Sequence, residues 1–246
     1  MHSPMSHNIK KNKTVLKRLY SLDIFRGLTV ALMILVNSPG YQQSFAWAKH
    51  SNWNGCTLAD VVFPFFLFIV GMSIALAFSS LKSNANAIKK STPIILKKTF
   101  VLLLIGIAFN LWSSHFSFDS LRYYGVLQRI AICYALASFI FLSTSLRKMA
   151  IIVALMLSGY WLSMLYMPLN GLEIGQLTPY NNLAAYIVRF LFSANHLYGK
   201  TYDPEGLLST LPALAKTLSG VITCCWFRGN HSAPSKKIWL YSRICG

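Results

Sequence analysis

Long apolar stretches alternate with shorter polar ones along the 246 residues of the chain. The apolar stretches at about 21–37, 58–79, 98–113, 125–143, 149–167 and 207–227 each approach the ~20 residues that cross a hydrocarbon core. The pattern predicts an all-α fold, a polytopic transmembrane helix bundle of about six spans. Residues 1–20 precede the bundle as a basic tail. Residues 168–206 form a long polar and aromatic loop, and residues 228–246 a short tail. Within that loop, Asn182–Ser193 carries apolar residues at helical spacing, which predicts a short helix lying at the membrane interface.

Composition agrees with the pattern. Hydrophobic residues make up 54% of the chain and charged residues only 12%, about half the share usual in a soluble domain. A net charge of +17 would ordinarily raise the question of nucleic acid. No basic stripe interleaved with aromatics occurs outside the spans, so nucleic acid is excluded as a partner and the lipid bilayer takes its place.

The basic residues also orient the bundle. Lys10, Lys11, Lys13, Lys17, Arg18 and Arg26 lie before or within the start of the first span. Lys82, Lys89, Lys90, Lys97 and Lys98 follow the second span, Arg147 and Lys148 the fourth, and Arg228, Lys236, Lys237 and Arg243 the last. On the alternate side stand only Lys49, Arg122, Arg189 and Lys200. The bias places the N-terminus in the cytoplasm and the 168–206 loop outside. No A-x-A-like cleavage site follows the first apolar segment, which is expected to stay in the membrane as an anchor.

Five cysteines occur, an odd number and without a CxxC pair. Neither a disulfide framework nor a metal site is expected. The soluble catalytic patterns GxSxG, GxxxxGK[ST], HExxH and GxGxxG are all missing.

What remains is polar chemistry at helix ends. Asp23 and Arg26 are spaced i, i+3 and can pair on one helix face. They read either as an anchoring charge pair or as a contact for an anionic ligand from the cytoplasm. Asn37 ends the first span within N-S-P-G, a turn signal. Thr57 and Asp60 have capping-box spacing at the start of the second span, and capping alone accounts for Asp60. Pro64 follows, where a proline can kink the helix. His50 lies just before, among Trp47, Asn52 and Trp53; a lone interfacial histidine is more often inert than catalytic, and the same applies to His115 and His196. Arg129, beside Gln128, and Lys216 lie inside spans, where ionisable residues mark function by default. Lys216 can also simply snorkel.

The segments SLDIFRGLTVALMILVN and KHSNWNGCTLADVVFPFFLFIVGMSI, followed by YYGVLQRIAICY and NHLYGKTYDPEGLLSTLPA, resemble in order the motifs of the heparan-α-glucosaminide N-acetyltransferase family. The resemblance covers about residues 19–228. It implies an integral-membrane enzyme that takes an acetyl group from cytoplasmic acetyl-CoA and delivers it to a terminal amino sugar on the opposite face. In that family His50 matches the active-site histidine, Asn37 its partner at the end of the preceding helix, and Asp60 the aspartate of the T-x-A-D motif. Arg26 and Arg129 are the expected contacts for the CoA phosphates. His50 would act as general base or form an acetyl-histidine. A bacterial inner membrane, an amino sugar or glycan acceptor and a homodimer fit the same resemblance.

Relatives continue through further helices, whereas KKIWLYS here resembles the start of another span cut off early. The sequence is therefore expected to be C-terminally truncated. An inactive relic of the family and a membrane transporter or scaffold stand as the alternative readings.

Overall fold

The computed structural model describes residues 20–37, 51, 55–82, 86–116, 124–167, 177–178, 182–191 and 206–231. Among these the helices are α1 Tyr20–Asn37, α2 Leu58–Lys82, α3 Ala87–Ser113, α4 Val126–Ser143, α5 Leu146–Tyr166, α6 Leu183–Leu191 and α7 Thr210–His231. No strand occurs among the described residues. Five helices, α2, α3, α4, α5 and α7, are long and apolar enough to cross a membrane. The 18 residues of α1 extend ~27 Å, which is compatible with a sixth span.

The core lies between α2, α4 and α7. Leu67, Ile74 and Phe78 of α2 meet Cys133, Ala137 and Phe141 of α4 and Leu218, Val221 and Cys224 of α7. The other spans lie outside this trio. Phe100, Leu104 and Phe109 of α3, and Ile151, Leu155 and Trp161 of α5, are exposed. Such faces would drive aggregation in water; against lipid chains they are the natural outer surface.

Polar contacts at both ends fix the helix directions. Lys82 at the end of α2 donates its Nζ to the Thr144 carbonyl at 2.7 Å, just past α4, and sits 4.5 Å over the Phe141 ring. Arg228 near the end of α7 donates to Ser79 Oγ of α2 at 2.9 Å. The C-terminal ends of α2, α4 and α7 thus lie together, and Arg129 joins their N-terminal ends. The three core helices run parallel. α3 runs antiparallel to α4, with Gly106 beside Gln128 and Lys98 opposite Tyr134. α5 returns from α4 through the turn at Thr144 and Ser145.

α2 and α7 cross with their backbones touching. A Cβ built on Gly71 would collide with the Thr217 carbonyl, and one on Gly220 with the Phe68 carbonyl. With little hydrophobic drive between helices inside lipid, such small-residue contacts let dispersion hold the pair. Pro64 lies inside α2 without ending it. Its ring nitrogen cannot supply the intrahelical bond to the Asp60 carbonyl four residues earlier.

The helix boundaries agree with the apolar pattern except at α3, which begins at Ala87 rather than near residue 98. Its early turns carry lysines and Pro93 yet bury Ser91 and Ile95 completely, so one stripe of an otherwise polar segment packs on the bundle. The far end of α3 closes through His115 and Phe116 at φ of 49° and 62°, with the Phe116 N–H returning to the Leu111 carbonyl at 3.0 Å. This left-handed closure gives His115 a structural place. The short helix expected within 182–193 is α6, capped by Asn182, whose Oδ1 accepts the Ala185 N–H at 2.8 Å.

Candidate active site

The start of α2 is held by one carboxylate. Asp60 Oδ2 accepts the Thr57 N–H at 2.9 Å, the Thr57 hydroxyl at 2.9 Å and the Ser51 N–H at 3.3 Å. The Ser51 hydroxyl donates to the Gly55 carbonyl at 3.3 Å. Gly55 has a φ of 126°, a conformation that side-chain-bearing residues rarely adopt. The Thr57–Asp60 spacing foretold the cap; the reach back to Ser51 makes it a clasp as well. Ser51 is the covalent neighbour of His50, so the clasp fixes the path of the chain one residue from the histidine. His50 itself lies outside the described residues.

Arg129 is at the same end of the bundle, in the first turns of α4, and is only 8% exposed. It donates to the Ser209 carbonyl immediately before α7. Its guanidinium lies 5.5 Å from the centroid of the Phe63 ring, one turn beyond Asp60 on α2. Among the described residues Arg129 Nε has no hydrogen-bond partner, and neither amide atom of the neighbouring buried Gln128 has one. The Tyr124 and Thr210 hydroxyls meet at 2.7 Å, a second tie between the entries to α4 and α7. Tyr124, Ser209 and Phe63 fall inside the quoted motifs but carry no individual signal, because an aromatic or a serine beside a span is the commonest of features.

Arg26 is elsewhere. Its Nη2 donates to Asp23 Oδ1 at 2.7 Å on an exposed face of α1, the anchoring pair that the i, i+3 spacing allows. It precedes Asn37, the last residue of α1, by ~16 Å of helix. Arg26 and Arg129 therefore share no contact. Lys216 is exposed on α7, as the snorkelling reading expects. His196 lies outside the described residues. Among the described residues no group of three or more histidines, cysteines or carboxylates is placed to hold a metal ion.

Three parallel helices thus begin at one end of the core. The partial positive charges of their N-termini add to the buried guanidinium there, and all of them favour an anion or a developing negative charge.

Comparison with known proteins identifies the family. A family model described as heparan-alpha-glucosaminide N-acetyltransferase, catalytic, matches residues 18–201. The chain belongs to that family. Within it, the heparan-alpha-glucosaminide N-acetyltransferases of mouse and human are each 32% identical to the chain over 251 aligned residues, covering 83% of it. The chain spans 38% of the length of each of these relatives. Family membership and the apolar helices together make this an integral membrane protein. The clasp at Asp60 and the buried Arg129 both lie within the matched region.

Asp60→Asn is expected to lower turnover by about 10- to 100-fold while the protein still folds. The substitution removes the charge from three hydrogen bonds, each worth roughly 1.5–3 kcal/mol when an ion takes part. It also loosens the chain beside His50. Hydrogen exchange at the Ser51 amide checks the cause, since it must speed up in the variant; turnover lost with that amide still protected would assign Asp60 another role.

Proposed function

We propose that this chain is a membrane N-acetyltransferase that moves an acetyl group from acetyl-CoA to the amine of an amino sugar or glycan. The observation that carries the reading is the convergence of α2, α4 and α7 N-termini, with Arg129 and the Asp60 clasp, at the end where the chain reaches His50. Attack of the amine on the thioester carbonyl forms a C–N bond and places negative charge on the carbonyl oxygen. The helix N-termini and Arg129 stabilise that charge. His50 accepts the proton that the amine must lose, and that proton passes to the sulfur as the C–S bond breaks and CoA leaves as the thiol. Asn37 donates a hydrogen bond to the same oxygen or orients the imidazole. Asp60 keeps the His50 segment in register.

The two arginines then divide the donor between them. Arg129 faces the reacting end. Arg26 lies toward the opposite end of α1, where it meets the phosphates of a donor entering from the cytoplasm. The lysine and arginine bias supports that entry side and an N-terminus in the cytoplasm.

The test is transfer of labelled acetyl from acetyl-CoA to glucosamine by the purified chain in proteoliposomes. Label appearing in N-acetylglucosamine above protein-free vesicles supports the reading. Absence of transfer, from a preparation shown to be folded by its helix content, would reject it in favour of the inactive relic.

A further inference from the structure

A second place in the molecule is built to take an anion, and it lies away from the end just described. A cavity of about 720 Å³ opens between α3 and α4, bordered by Pro93, Lys97, Lys98, Val101 and Leu102 of α3 and by Tyr134 of α4. Its walls are almost entirely carbon, and it opens sideways onto the exposed apolar face of α3 that includes Ile94, Phe100 and Leu104. Lys97 and Lys98 border it without a carboxylate partner among the described residues; the Lys98 ammonium stands 6.0 Å from the centroid of the Tyr134 ring. The Tyr134 ring closes the groove on its α4 side.

We propose that this groove binds an anionic phospholipid, its phosphate held by Lys97 and Lys98 and one acyl chain lying along Val101 and Leu102 beside the Tyr134 ring. Three observations favour this occupant over a soluble anion. The groove opens toward the bilayer, so a lipid reaches it by lateral diffusion. Its floor is apolar along the length a chain would cover. Among the described residues its only charges are two cations, and lysine stems in apolar surroundings reach back to the headgroup level. Basic pockets between membrane helices on the cytoplasmic side recognise anionic headgroups by this combination. The proposal is independent of the acetyl-transfer reading, because none of these residues lies at the Asp60 end.

The experiment is native mass spectrometry of the full chain, extracted in mild detergent and incubated with either phosphatidylglycerol or phosphatidylethanolamine. Phosphatidylglycerol is expected to be retained about tenfold better, as two lysines near an anionic headgroup imply. The K97Q/K98Q variant brings retention down to the phosphatidylethanolamine level, whereas K89Q/K90Q, with the same charge loss on the same helix, leaves it unchanged. Val101→Trp fills the floor without altering charge and lowers retention of both lipids. Equal retention of the two lipids by the unaltered chain would overturn the proposal. So would equal loss in the two double variants, which would mean diffuse attraction only. Displacement of bound phosphatidylglycerol by free CoA at one-to-one stoichiometry would overturn it too, and would assign the groove to the acetyl donor.

Discussion

His50→Ala is expected to abolish acetyl transfer, with a fall of at least ~100-fold and up to ~10⁴-fold, the range over which a positioned general base contributes. The expectation rests on the chemistry of the step and on the chain beside the histidine. An amine attacking a thioester must lose a proton, and few side chains other than imidazole accept one near neutral pH. The Asp60 clasp holds the N–H of Ser51, the next residue along the chain from His50, at 3.3 Å. The comparison variant is His115→Asn. His115 sits at φ 49° after α3, a conformation asparagine tolerates, so this change should leave transfer intact. Both variants are assayed for labelled acetyl at matched protein level. Transfer that survives in His50→Ala would move the proton acceptor elsewhere, and loss in both would mean that the assay reports folding.

The second large effect concerns assembly. Gly71→Leu and Gly220→Leu are each expected to prevent recovery of folded, monodisperse protein. At both positions even a Cβ would overlap a carbonyl of the facing helix, so α2 and α7 must separate. Overpacking in a well-packed interior costs ~1–3 kcal/mol, and a clash against backbone sits at or above the top of that range because no side chain can swing aside. Gly159 of α5 provides the contrast, since nothing among the described residues stands within 4 Å of a Cβ placed there. Gly159→Ala should raise thermal stability slightly, through the ~1 kcal/mol helix propensity difference. Size-exclusion profiles and thermal unfolding in one detergent decide the matter. Normal behaviour of Gly220→Leu would show that the close crossing is dispensable.

The spans were legible because lipid imposes one simple constraint, an apolar run of fixed length. That rule located the starts of α2, α4 and α7 within a few residues. It failed at the start of α3, where packing rather than lipid decides: lysine favours helix readily, and Ser91 and Ile95 needed only a buried stripe, not an apolar run. At the candidate site the Thr57–Asp60 cap could be read directly, because capping is local in sequence. The hold of Asp60 on Ser51 spans nine residues and depends on a loop geometry that no short pattern encodes. Arg129 was visible as a charge inside a span, but its direction was not. Its contacts come from Phe63 and Ser209, distant in the chain and chemically ordinary. Arg26 is the opposite case, since its partner Asp23 stands three residues away and the spacing alone allows the pair.

The unequal lengths of α3 and α4 carry a consequence for the surrounding bilayer. Packed side by side, they comprise 27 and 18 residues, or ~40 Å and ~27 Å of helix. A hydrocarbon layer of ~30 Å suits the shorter one and obliges the longer to lean or to project. Membrane thickness therefore bears directly on the angle between the two. Longer acyl chains would draw α3 upright along α4, and shorter ones would lay it over. The lysine-bordered groove between them would change width with the lipid composition of its host membrane, while the glycine-locked α2–α7 pair kept its shape.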